Sequence, residues 1–130
     1  MQQSSQLPPP VKVCSRERWN DTGIQVSAGE TYHFKATGQW NDASIVCGPE
    51  GYESKNFILR ISERLRRVPG ARWFALIGVL NHDLSTAFVI GQGGKQTFAT
   101  GGLLSCFAND VSFMYWNNSG SVEVKITRLS

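Results

Sequence analysis

From Val11 to the end of the chain the apolar positions recur mostly at every second residue. The clearest run is Ser121-Val122-Glu123-Val124-Lys125-Ile126-Thr127, where Val122, Val124 and Ile126 share one face and Glu123 and Lys125 take the other. That alternation predicts a half-buried strand. Thr31 to Ala36 alternates the same way, with Tyr32, Phe34 and Ala36 inward, His33 and Lys35 outward, and Ala28-Gly29-Glu30 as the preceding turn. Further strands are predicted at Gly23–Val26, Trp73–Leu80, Ala87–Ile90, Gln96–Ala99 and Leu103–Ala108, each bounded by Gly or Asn/Asp. Gly91-Gln92-Gly93-Gly94 reads as a hairpin turn. Short strands at this spacing predict an all-β fold, a sandwich or a barrel.

One stretch breaks the period. Over 54–67, Phe57, Ile58, Ile61 and Leu65 recur at helical spacing with Arg60, Glu63, Arg64, Arg66 and Arg67 between them. This predicts one short amphipathic helix lying over the sheet, ended by Pro69-Gly70. Residues 1–10 are polar and finish in Pro8-Pro9-Pro10, which predicts a flexible tail before a single domain over 11–130.

The length of 130 residues fits one domain, and 41% hydrophobic residues are enough to build its core. Thirteen Lys+Arg against ten Asp+Glu give +3, a balance that points to neither disorder nor a nucleic-acid binder. Cys14, Cys47 and Cys106 are an odd, widely spread set that suits neither a disulfide framework nor a zinc cluster. The opening residues carry no basic start and no apolar run, and no stretch approaches a bilayer-spanning length. The expectation is therefore a cytoplasmic protein without membrane insertion, compatible with release by a route that needs no classical signal peptide.

Asn109 to Gly120 concentrates side-chain oxygens between two strong strands. A hard divalent cation such as calcium takes six to eight oxygen ligands, and Asp110, Asn117 and Asn118 with loop carbonyls could converge on one. Asn41-Asp42, after Trp40, could add another ligand. The same residue types also make plain turns, and on spacing alone that reading comes first. Of the four tryptophans, Trp116 is the best placed to stack on a sugar because it sits inside the polar loop, whereas Trp73 follows an inward-facing pattern. Arg60, Arg64, Arg66 and Arg67 could face a phosphate backbone or an acidic partner, but a solvated helix face is the commoner outcome for such a cluster. Catalysis has little support. The one arrangement to weigh is His82 with Asp83 and a thiol from Cys47 or Cys106, a set whose members are more commonly structural in a small β domain.

Taken together, Asn109-Asp110, six residues, then Asn117-Asn118-Ser119-Gly120-Ser121 leading into an alternating last strand resemble the PA-IL-like bacterial galactophilic lectins. Weaker agreements keep the same order: Ala28-Gly29-Glu30, Ala36-Thr37-Gly38 with Trp40, Gly48-Pro49-Glu50-Gly51, Ala75-Leu76-Ile77-Gly78 and Thr100-Gly101. The resemblance implies a jelly-roll β-sandwich of two antiparallel sheets and a non-catalytic, calcium-dependent sugar-binding function. By position it places Asp110, Asn117 and Asn118 on the ion through side chains, and Met114 and the region of Asn41 through carbonyls. Asp110, Asn117, Trp116 and Asp42 become the candidate ligand contacts, a glycan or glycoconjugate the partner, and a homo-oligomer the expected assembly. The family's sugar-contacting histidine and glutamine have no counterpart in Tyr52–Val68, and Trp116 stands where the family has a small residue. The resemblance thus names no particular glycan. The alternative is a protein-interaction domain that keeps the sandwich and has lost sugar binding.

Overall fold

The computed structural model describes residues 9–53, 65–112 and 114–130. Its strands are β1 (Val11–Cys14), β2 (Asn20–Val26), β3 (Thr31–Asp42), β4 (Ile45–Cys47), β5 (Leu76–Leu80), β6 (Asp83–Val89), β7 (Gly93–Thr97), β8 (Gly102–Ala108) and β9 (Asn118–Arg128). They form two antiparallel sheets. The first runs β1-β9-β3-β4 with β7 also paired to β3, and the second runs β2-β8-β5-β6. The chain passes repeatedly between the sheets, the interleaving expected of the sandwich. No helix among the described residues is long and apolar enough to cross a membrane.

Between the sheets, the alternation of β3 and β9 delivers Phe34, Ala36, Trp40, Val122, Val124 and Ile126 against Val26, Leu76, Leu104 and Cys106. Burial of such side chains is the main stabilising term. β5 is apolar on both faces, because its outer face is covered too: Ile77, Val79 and Phe107 pack with Ala71, Ala75, Val68 and Trp19. The predicted helix over 54–67 lies mainly outside the described residues; of its last three, Leu65 is in a 3-10 conformation and Arg66 makes an isolated strand-type bridge. That bridge is to Val111, and the Arg67 N–H donates to the Asp110 carbonyl.

Several predicted boundaries move. β5 begins at Leu76 rather than Trp73 because Phe74 takes φ of 59° to seat its ring edge-on against Trp40, 5.8 Å away. β3 continues to Asp42, well past Ala36. β1 and β4 are too short to show an alternation. The Gly91–Gly94 turn does not close a hairpin: β6 pairs with β5 and β7 with β3, so the turn carries the chain from one sheet to the other.

The Gly48–Gly51 turn closes with the Gly51 N–H on the Gly48 carbonyl, and the Tyr52 N–H then donates to the Trp73 carbonyl. Gly51 has φ of +77°, and a Cβ there would lie 2.3 Å from the Trp73 carbonyl oxygen and 2.6 Å from the Ala75 nitrogen. Both neighbours are backbone and cannot swing away. Gly51→Ala is expected to destabilise by on the order of 3 kcal/mol, lowering the Tm by roughly 10 °C in a thermal melt.

Candidate functional site

Asp42 ends β3 and lies directly across from Asn118, the first residue of β9. Asn118 follows a 3-10 turn, Tyr115–Asn117, and Asp110 follows the end of β8. Strand ends and one tight turn thus deliver Asp42, Asp110, Asn117 and Asn118 to the same rim of the sandwich. The alternation that buries Trp40 puts Asp42 on the same face and Asn41 on the other, where the Asn41 side chain leans over Gly120. Asn41 could therefore serve an ion through its carbonyl, not its side chain. Met114 sits just before the turn, its N–H bonded to the Val111 carbonyl.

Asp110 and Asn118 are only 3% and 2% exposed. Each half-satisfies its polar atoms. Asp110 Oδ1 accepts from the Val111 N–H at 2.7 Å, and Asn118 Nδ2 donates to the Ser15 carbonyl at 3.0 Å. Among the described residues, the buried side-chain oxygens left with no hydrogen-bond partner are Asp110 Oδ2, Asn117 Oδ1 and Asn118 Oδ1. These are the side chains expected to hold an ion. Buried polar groups without partners are rare because each costs desolvation energy. An all-oxygen set of carboxylates and amides suits a hard cation such as calcium.

Electrostatics at the rim are unfavourable for the protein alone. Burial, with the neighbouring Asp42 charge, pushes the Asp110 carboxyl up to about 6 from 3.8, against the pull of the Val111 N–H and the Asn118 amide. Burial also raises Asp42, although the Tyr52 hydroxyl donates to its Oδ2 at 2.5 Å. The folded carboxyl thus holds its proton more tightly than the unfolded one. Between about pH 4 and 6 the folded state binds the extra proton, so this contribution to stability is full below that window and lost as pH rises through it. In chelator, wild-type stability relative to an Asp110→Asn variant is expected to fall as pH rises from 4 to 6.5, by on the order of 2 to 3 kcal/mol, in paired calorimetric melts.

Trp116, in the same 3-10 turn, is 67% exposed and presents an open indole beside Asn117. Trp73 is buried, as its pattern predicted.

The other sequence candidates are placed differently. Arg67 is buried, its guanidinium over the rings of Phe107 (3.8 Å) and Trp19 (4.2 Å) and donating to the Arg18 carbonyl and the Tyr115 hydroxyl. It is no part of a docking surface. Arg66 lies over Trp73 at 5.0 Å, while Arg60 and Arg64 fall outside the described residues. His82 does not act with Asp83, which accepts from the Ser85 N–H and hydroxyl. Its Nε2 instead meets Asp21 Oδ1 at 2.7 Å and Ser105 Oγ at 3.1 Å, and the Ser105 hydroxyl also donates to Asp21. One imidazole nitrogen facing both groups is not a relay, which uses the two ring nitrogens separately. Burial raises the thiols of Cys47 and Cys106 to about 11 and 12, which makes them poor nucleophiles. The stacking of His82 on Trp19, at 4.4 Å, left no mark in the sequence pattern.

No protein-family model matches the chain, and no curated protein does. Among solved structures, an EclA N-terminal domain described as a PllA-like lectin is similar with a TM-score of 0.73. The match covers 95% of this chain and 98% of that one at 20% sequence identity, a likeness of fold.

Proposed function

We propose that this lectin-type sandwich is a non-catalytic, calcium-dependent carbohydrate-binding module. Asp110, Asn117 and Asn118 would hold the ion, with carbonyls near Met114 and Asn41, and Asp42 brings a second carboxylate to the same rim. The observation that carries the reading is the coincidence of three buried, unpartnered oxygens with the three expected ligands. A bound calcium ion supplies a fixed positive charge and open coordination positions for vicinal hydroxyls. Asp110, Asn117 and Asp42 then offer acceptors to those hydroxyls, and Trp116 offers an apolar face to the sugar ring. Homo-oligomeric assembly would raise avidity for such weak sites without new contacts. The fold it shares with a PllA-like lectin supports the sugar-binding class.

Screening the full chain on an array of neutral, unsulfated glycans tests this. Binding is expected in millimolar calcium and is lost in EDTA. Trp116→Ala should weaken capture about tenfold, matching one lost aromatic stack of about 1.4 kcal/mol, while leaving stabilisation by calcium intact. Capture that is indifferent to EDTA would refute the reading.

A further inference from the structure

The outer face of the first sheet carries a second feature, unconnected with the rim oxygens. Lys12, Lys35, Lys95 and Lys125 are the lysines of the described residues, and all are exposed. They come from β1, β3, β7 and β9, the strands paired side by side in this sheet. Register places them on one face: Lys35 opposite Lys125, His33 opposite both Lys95 and Thr127, and Glu123 opposite both Thr37 and Lys12.

From Lys95 on β7 through Lys35 and Lys125 to Lys12 on β1, the ammonium groups run diagonally across the sheet. With strands about 4.8 Å apart and about 3.4 Å per residue along them, the band is roughly 20 Å long. Glu123 is the acid within it, and the ion pairs among the described residues, His82–Asp21 and Arg128–Glu30, involve none of these lysines. Like charges placed directly opposite on a sheet, as Lys35 and Lys125 are, oppose folding. A depression of about 230 Å³ lies against this pair, lined also by Thr37, Glu123 and Pro10. Gly93, across from Lys35 on β7, adds no side chain to cover it.

We propose that this face docks a linear sulfated polysaccharide, with sulfates on Lys95, Lys35, Lys125 and Lys12 and the depression between Lys35 and Lys125 taking one of them. The chemistry around the lysines selects this partner among polyanions. Between Lys95 and Lys12 the face carries Thr127, Thr37, His33 and Glu123, so it offers hydroxyls and cations. Among the described residues it has no exposed indole or phenyl ring on which unpaired bases would stack and no apolar wedge for a bilayer. A flat, hydroxyl-bearing cationic band fits a chain of acidic sugars lying along it. This site needs no calcium and does not depend on the rim.

The test is a fluorescence titration of the full chain with a sulfated heparin oligosaccharide across a salt series, in EDTA. Wild type is expected to bind, with affinity falling steeply as salt rises. A Lys35→Gln/Lys125→Gln variant should bind at least tenfold more weakly, with a shallower salt dependence and a Tm equal to or above wild type. That Tm shows the variant is folded. Unchanged affinity and salt dependence in the variant would overturn the proposal. So would absence of binding in EDTA, or tighter binding to duplex DNA or to phosphatidylserine vesicles than to the oligosaccharide.

Discussion

Asp110→Asn is expected to abolish stabilisation by calcium while making the calcium-free protein more stable than wild type. The two effects have opposite sign because one group causes both. The Asp110 carboxyl is buried beside Asp42, and that setting raises it to about 6, so at pH 7.5 the fold keeps an unfavourable negative charge. An isosteric amide removes the charge and recovers on the order of 2 to 3 kcal/mol. The same substitution takes from a hard cation its most buried anionic ligand. Thermal melts at pH 7.5 with and without millimolar calcium should show wild type rising by several degrees and the variant, starting higher, not moving. A variant that is less stable than wild type in chelator, or that still responds to calcium, would contradict the rim described above.

The second large effect concerns Arg67, which spacing alone assigned to a solvated or docking face. Its guanidinium is buried against Phe107, Trp19 and Tyr115 and bonds the Arg18 carbonyl and the Tyr115 hydroxyl. Arg67→Ala removes a large packed side chain, the ring contacts and two hydrogen bonds together, and is expected to cost about 3 to 5 kcal/mol in a denaturant titration. Arg67→Lys should recover little, because an ammonium cannot stack flat on the rings or present a planar fork of donors. Arg67→Met, which keeps apolar volume and buries no charge, should be the mildest of the three. Because the Arg67 N–H also holds the Asp110 carbonyl and Tyr115 opens the 3-10 turn, loss of this packing should also lower calcium affinity.

The sheets were legible where alternation is long and one face is dry, as in β9 and the first half of β3. They were not legible where the pattern carries other demands. β5 is buried on both sides and reads as a plain apolar run, β6 opens with the turn chemistry of Asp83, Ser85 and Thr86, and β1 and β4 are too short to alternate. The Gly91–Gly94 turn shows that glycine marks a reversal without saying which sheet the chain enters next. Of the rim, Asp110, Asn117 and Asn118 could be picked out by residue type, but turn-forming residues look alike in a sequence. Only burial without partners separates them. Asp42 was distinguishable from Asn41 only once β3 was known to run unbroken through Trp40, since a one-residue change of register exchanges the faces. Arg67 was unreadable because a buried cation and a surface one are the same letter.

The most direct measurement is a crystal structure of the full chain grown with calcium, read for anomalous density at the rim. One ion per chain is expected within about 2.6 Å of Asp110 Oδ2, Asn117 Oδ1 and Asn118 Oδ1. Those oxygens turned instead onto water or onto protein donors, with no ion between them at saturating calcium, would contradict the calcium-dependent reading.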